Sequence, residues 1–251
     1  MFLNLLVNNT STLKVFFSIF YKLLWRLVPS ILQFTYTVST DKFLIAFRPF
    51  ILSDWHIIAP NFEEDVRTLF QPKPNQIVID VGAHIGFYTL IACRLIEPNG
   101  RVISIEPDES NLIVLKKNVA VNKFKNVVVL PVALGCTTNR KKFYAGVMPT
   151  GSSFYPTNAR ALYKVRAVKE IKTVTLDSLL DELKIRDVDW IKIDVENMDL
   201  DVLRGGKFFL KNSKKAKIIL EASSYKTLEY LKSFGFKIRH INSSYYFASK
   251  N

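Results

Sequence analysis

The sequence predicts an α/β fold built on a doubly wound parallel sheet, with helices on both faces. Three observations lead there. From about Gln76 onward, short apolar runs alternate with amphipathic helical stretches, the pattern of successive βαβ units. Several of those runs are apolar at nearly every position, as strands covered on both faces must be. The turn after the first run carries Gly82 and Gly86, placed where a strand has to bend sharply into a helix.

The elements follow in order. Ile77-Val78-Ile79-Asp80-Val81 is the first strand, and the helix after it sets Phe87, Leu90, Ile91 and Leu95 on one face before Pro98-Asn99-Gly100 ends it. Val102 to Glu106 is the second strand, and Pro107 and Asp108 open a helix carrying Leu112, Leu115 and Val119. Val127 to Pro131 is the third. Residues 136–189 read as an insertion, with a loop at Gly151-Ser152-Ser153 and strand within Val165 to Val174. Trp190 to Val195 and Ile218 to Glu221 are strands four and five. A helix over Lys226 to Phe234, ended by Gly235, leads into an antiparallel C-terminal pair, Phe236 to Ile241 and Tyr245 to Ala248. Right-handed crossovers in such a sheet bring ligands to the carboxyl ends of its strands.

Residues 1–50 differ in character from the domain expected over 51–251. In TLKVFFSIFYKLLWRLV, Thr12 to Val28, the cations Lys14, Lys22 and Arg26 fall on one side of a helix, with Phe16, Phe20, Leu23 and Leu27 on the other. Every stretch long enough to span a bilayer contains a charge, and no small-residue cleavage site follows the apolar run, so neither a spanning helix nor a cleaved leader is expected. An amphipathic helical extension over 1–50 is expected, and two placements stay open for residues 12–28: contact with a membrane surface, or packing on the main domain or a second subunit.

The 251 residues suffice for one full core, and apolar residues at 49% with charged residues at 23% are an ordinary globular balance. A net charge of +13 points to an acidic neighbour, nucleic acid or an anionic membrane, or else to a lysine-rich solvated face. The lysines at 207, 211, 214, 215 and 217 form such a patch without the interleaved aromatics of a single-stranded nucleic-acid platform. Nucleic acid is disfavoured as a partner on that ground. Cys93 and Cys136 have no CxxC partner or nearby ligand histidines, so two reduced thiols and no metal site are expected, in a cytoplasmic protein, with a peripheral position at the membrane as the variant.

The candidate chemistry clusters at strand ends. Gly82 permits the turn and Gly86 a close helix. His84 stands where a dinucleotide loop would have its second glycine, and its side chain would crowd a pyrophosphate, so the loop suits a ligand without a phosphate at that point. Glu106, at the end of strand two, is placed to accept hydrogen bonds from both hydroxyls of a ribose. Past strand four, Lys192-Ile193-Asp194-Val195-Glu196-Asn197-Met198-Asp199 brings three carboxylates to one sheet end. Asp194 and Glu196 alternate and point the same way, fit to remove a proton or bind hydroxyls; Asp199 reads as an acid at the start of the next helix. His56 reads as a satisfied surface or core histidine, with a place lining the pocket as the alternative, and His84 as a loop histidine bonded to backbone rather than a base.

With these residues in view, the runs VIDVGAHIGFYTLIA, VISIEPDESNLIVLKKNVAVN, VALG, TVTLDSLLDEL, IKIDVEN and IILEAS resemble the FkbM family of methyltransferases in order and spacing, over roughly residues 54–235. The resemblance implies a class I methyltransferase (Rossmann-like) fold, S-adenosylmethionine as donor, and commonly O-methylation of a hydroxyl on a sugar, glycolipid or small metabolite. It implies a donor loop of Asp80, Gly82, His84 and Gly86, a ribose contact at Glu106, Ala133 near the adenine, and Ser152 and Ser153 bordering the pocket, with Asp194 and Glu196 as catalytic candidates. Two alternatives stand beside it: a membrane-associated protein that binds S-adenosylmethionine without catalysis, and an RNA methyltransferase. The chain departs from the family in one place. Where the family reads D-V-E-G-A-E, this sequence has Asn197, Met198 and Asp199 for the last three residues, a change that bears on the acceptor rather than the donor.

Overall fold

The computed structural model describes residues 35–39, 43–49, 51–96, 99–146, 152–154 and 165–250. The helix expected over Thr12 to Val28 lies outside them. The described part of the N-terminal stretch is a β-hairpin, β1 (Tyr36–Ser39) and β2 (Leu44–Phe47), followed by two short helices, α1 (Leu52–Ile57) and α2 (Glu64–Leu69). The hairpin joins the main core, where Ile45 and Phe47 are buried beside Phe87 and Leu90. Two asparagines stand in for a third strand: Asn118, in the helix over Glu109–Val121, bonds both backbone groups of Ala46, and Asn122, just past its end, both of Leu44. A backbone edge that would otherwise be left unpaired is thereby satisfied.

The main sheet has seven strands. β3 (Ile77–Val81), β4 (Arg101–Ile105), β5 (Val127–Leu130), β9 (Trp190–Ile193), β10 (Lys217–Glu221), β11 (Lys237–His240) and β12 (Tyr245–Ser249) lie in the order β11-β12-β10-β9-β3-β4-β5. Neighbours from β5 through β10 pair parallel, and β12 pairs antiparallel with both β10 and β11. Only β12 is therefore reversed, and β11 runs with the other five. This is the expected doubly wound sheet, with its order reversing between β3 and β9, and clefts form at that switch point. Helices α3 (Phe87–Leu95) and α4 (Glu109–Val121) follow β3 and β4, α6 (Asp199–Arg204) and α7 (Lys207–Asn212) follow β9, and α8 (Tyr225–Ser233) follows β10. Ile79, Ile103, Ile191 and Leu220 fill one face and Val78, Val102, Trp190 and Ile219 the other, which is why the strands read as continuous apolar runs.

The insertion between β5 and β9 forms a second sheet, β6 (Ala133–Leu134), β7 (Asn139–Gly146) and β8 (Val165–Val174) in the order β6-β8-β7, with helix α5 (Leu176–Glu182) after it. Ser153, expected in a loop, instead exchanges both backbone hydrogen bonds with Tyr144 and extends this sheet toward the cleft. Cys93 is buried and Cys136 half-buried in the turn before β7, and no disulfide joins them. Phe208 is 72% exposed amid the lysines of 207–217, so that patch does contain an exposed aromatic. Among the described residues no helix is long and apolar enough to cross a membrane, and no group of histidines, cysteines and carboxylates could hold a metal ion.

Candidate functional site

A cleft of about 340 Å³ opens over the carboxyl ends of β3, β4, β9 and β10. At one end it is bordered by Gly82, His84, Glu106, Pro107, Ala133, Ser152 and Ser153, and at the other by Glu63, Asp194, Glu196, Glu221 and Tyr245. His56 lines it too, as an exposed side chain of α1. No lysine or arginine is among the described residues lining it.

The glycines of the loop act through space as much as through conformation. Gly82 has φ +82°, and a Cβ there would meet the carbonyl oxygen of Asp194 at 1.9 Å, so the loop lies directly against the end of β9. Gly86, at φ +94°, precedes α3, and a Cβ there would meet Leu115 Cδ1 at 2.4 Å. Its function is the close packing of this turn on α4, and it does not line the cleft. Neither does Asp80. Its buried carboxylate accepts from Thr89 Oγ1 at 2.7 Å, and Thr89 bonds Ser104 Oγ in turn, so the acid expected in the loop ties three elements beneath it. Burial raises its pKa.

His84 departs from expectation differently. At φ +51° it projects its ring between loop and cleft, and both ring nitrogens are buried without a hydrogen-bond partner. Burial holds the imidazole neutral, down to about 4. Only its backbone N–H is engaged, donating to Glu106 Oε2 at 2.8 Å. An uncompensated buried imidazole costs free energy until a ligand supplies the partner.

Glu106 is buried where β4 ends. Its Oε2 accepts from His84 N and its Oε1 from Asp108 N, both at 2.8 Å, and from Asn111 Nδ2 at 3.3 Å. Burial outweighs these bonds and pushes the carboxyl up to about 7. Ser152 Oγ donates to Asp108 Oδ2 at 3.1 Å and accepts from Gly146 N at 3.0 Å, closing the wall beside Ala133.

At the opposite end lies a network that sequence reasoning missed apart from Asp194. Lys192 is buried beneath it, its Nζ 2.6 Å from Asp194 Oδ2 and 4.4 Å from the Tyr88 ring centroid. Tyr245 donates toward Asp194 Oδ2 at 2.7 Å and lies 3.0 Å from Glu63 Oε1, while Tyr88 donates to Glu63 Oε2 at 2.7 Å. The Asp194 charge bears directly on the Glu221 carboxyl, and two neighbouring carboxyl groups disfavour double ionisation. Burial alone would raise Asp194, but the Lys192 ammonium and these bonds hold it below the ordinary carboxylate value. Glu221 is driven up to about 8 by burial and by the Asp194 charge. Glu196, on the exposed turn after β9, reaches about 7 for the same two reasons.

Topology explains the assembly. Lys192 and Asp194 alternate on one face of the chain leaving β9, Glu221 ends β10, and reversed β12 delivers its first residue, Tyr245, opposite Glu221. The one available sequence signal was Glu221, an acid at a strand end as Asp194 is. Asn197 adopts φ +61°, a left-handed conformation that asparagine tolerates better than most residues with a side chain. Met198 is buried against the cleft. Asp199 is fully buried, accepting from Ser223 N at 3.1 Å and Thr227 Oγ1 at 2.6 Å, so it ties α6 to the start of α8 and stays out of the cleft.

The family described as "Methyltransferase FkbM domain" matches residues 80–238. A solved structure of methyltransferase FkbM from Methylobacillus flagellatus KT superposes with a TM-score of 0.50 at 19% identity, covering 77% of this chain and 47% of that one, so the chain spans about half its length. Precorrin-6y C5,15-methyltransferase from Geobacter metallireducens GS-15 gives a TM-score of 0.50 at 16% identity, covering 77% and 91%. Protein-L-isoaspartate O-methyltransferase of Methanopyrus kandleri is 36% identical over 50 residues, 20% of this chain and 22% of that protein.

Proposed function

Because the chain belongs to the FkbM family of methyltransferases, we propose that it methylates a hydroxyl on an uncharged, hydroxyl-rich acceptor, a sugar, glycolipid or small metabolite. S-adenosylmethionine is its cofactor, and when bound supplies an electrophilic methyl group. The cleft residues fit that donor. His84 offers a buried imidazole without a partner, Glu106 keeps one lone pair free on Oε2 after its three contacts, and Gly82 leaves room above the end of β9. In this reading Glu106 accepts from the ribose hydroxyls, Ala133, Ser152 and Ser153 enclose the adenine side, and His84 and Gly82 border the amino-acid side. Asp80 and Gly86 shape the loop from beneath.

The observation that carries the acceptor class is the charge of the lining. Glu63, Asp194, Glu196 and Glu221 gather at one end of a cleft with no lysine or arginine in its described lining. Carboxylates accept hydrogen bonds from hydroxyl groups and repel phosphates, so the lining favours a sugar-like acceptor over a nucleic-acid backbone. Asp194 and Glu196 would orient the acceptor and receive its proton, in concert with Glu221. A base in this cluster makes the transfer rate rise as pH increases across about 7 to 8, where Glu196 and Glu221 ionise.

The test is incubation of the purified protein with labelled S-adenosylmethionine and separate glycan, lipid and RNA fractions. Label in the glycan or glycolipid fraction, stable to mild alkali as an ether must be, is the expected result. Label in RNA alone overturns the acceptor class, and donor binding without transfer to any fraction favours a binding protein that has lost catalysis.

A further inference from the structure

Glu106 is held in place by a chain of buried groups that begins before residue 80, where the family match starts. Arg48 stands just past β2 and Asp54 in α1, with side chains 5% and 0% exposed. Arg48 Nε and Nη2 bond the two carboxylate oxygens of Asp54 at 2.8 Å each, and Asp54 Oδ2 also accepts from the Arg48 backbone at 2.8 Å. Arg48 Nη2 then donates to Asn111 Oδ1 at 2.9 Å, and Asn111 Nδ2 donates to Glu106 Oε1 at 3.3 Å. Arg48 Nη1 reaches Ser110 Oγ at 3.4 Å.

Direction is what matters in this relay. A guanidinium has donors only, so it claims the oxygen of the Asn111 amide and turns the NH₂ toward Glu106. Without that demand the amide is free to rotate and present its oxygen to the carboxylate. We propose that Arg48, clamped by Asp54, is a positioning residue for donor binding: it fixes the Asn111 amide so that Glu106 is met by a hydrogen-bond donor and stays competent to accept from a ribose. The inference rests on the reading that Glu106 holds the ribose. Other groups bear on the same carboxylate: the Asp108 carboxylate adds like charge, and the Asp108 and His84 backbone N–H groups donate. Asn111 is the one side chain whose donor depends on another residue for its direction.

The decisive variant is Asn111→Asp. It preserves a partner for Arg48, and with it the fold, while placing a carboxylate against Glu106. Calorimetric titration of the full chain with S-adenosylhomocysteine from pH 6 to 9 is the measurement. Wild-type affinity falls as pH drops through about 7, where Glu106 takes up a proton. Asn111→Asp should bind about tenfold more weakly at pH 7.5, with the midpoint of its pH dependence moved up by about one unit. The paired variant Arg48→Met/Asp54→Leu removes both charges together and should shift the midpoint the same way. Wild-type affinity and midpoint in Asn111→Asp, with Glu106→Gln weakened, would overturn the relay and leave the ribose contact standing. Wild-type affinity in Glu106→Gln would overturn the ribose contact, and the relay with it.

Discussion

At the end of the cleft proposed for the donor, Gly82, His84, Glu106 and Pro107 come from the loops after two adjacent strands, β3 and β4, and the shape is set by backbone; at the end proposed for the acceptor, Glu63, Tyr88, Lys192, Asp194, Glu221 and Tyr245 converge from five separate segments, and their arrangement is set by charge. The first end depends on where a Cβ would collide. The second depends on one buried ammonium beneath several carboxylates. A fault in the first distorts a local turn, whereas a fault in the second leaves like charges facing one another in a poorly solvated floor.

The largest effect expected is at the acceptor end. Lys192→Met removes the ammonium that compensates Asp194 and adds to the balance of Glu63 and Asp80, and should cost roughly 3–5 kcal/mol of stability, as loss of one partner from a buried pair does. The loss should be greatest near pH 8 and shrink toward pH 5, since protonation of the exposed imbalance among the carboxylates relieves it. Urea denaturation at the two pH values measures this, and equal losses at both would break the charge-balance account.

Gly82→Ala tests the other principle. The methyl group meets a backbone oxygen at 1.9 Å with φ at +82°, so strain and displacement together should cost about 2–4 kcal/mol, with little pH dependence. A melting temperature unchanged from wild type would show that the loop is not pressed against β9.

Glu106→Gln sharpens the contrast, because here charge enters the donor end. Weakened charge-assisted bonds should lower donor affinity roughly tenfold to hundredfold in calorimetry. The empty protein should nevertheless melt higher at pH 8. The folded-state pKa of Glu106 is raised to about 7, so its ionised form opposes folding, and stability falls as pH rises from its ordinary value toward 7; glutamine abolishes that dependence. A lower melting temperature at pH 8 would contradict the burial of an incompletely compensated charge.

The smallest effect belongs to Asn197. With φ at +61°, Asn197→Gly should change stability by less than about 1 kcal/mol, whereas Asn197→Val, a β-branched residue forced into left-handed backbone, should lose about 1–2 kcal/mol. Thermal melts of the pair decide whether left-handed backbone at residue 197 sets the cost of a substitution there.

Sequence and structure diverge along the same division. The donor loop was legible because its requirements are local: Gly82 must turn, and Glu106 must end the neighbouring strand, and both follow from strand periodicity. Even there, the sequence could not say that Asp80 turns under the loop to Thr89, that Gly86 serves contact with Leu115, or that His84 leaves its ring without a partner. Those facts depend on what lies across the turn. At the acceptor end Asp194 and Glu196 were visible as acids beside a strand end, but Lys192 read as part of a strand and Tyr245 as part of a hairpin, and nothing singled out Glu63. Asp199, read from the sequence as an acid opening the next helix, does start α6, and only the structure shows it reaching across to Ser223 and Thr227.

By itself the sequence determined the order of strands and helices, the doubly wound sheet, the place of the cleft and the family. These rest on periodicity and on short-range turn chemistry, which each segment carries within itself. Tertiary structure alone decided which charges share the cleft floor, that the hairpin before residue 48 belongs to the core, and that Arg48 reaches Glu106 through Asn111. Charge balance and hydrogen-bond direction are properties of neighbours in space, and the sheet order brings together residues whose separation along the chain gives no sign of it.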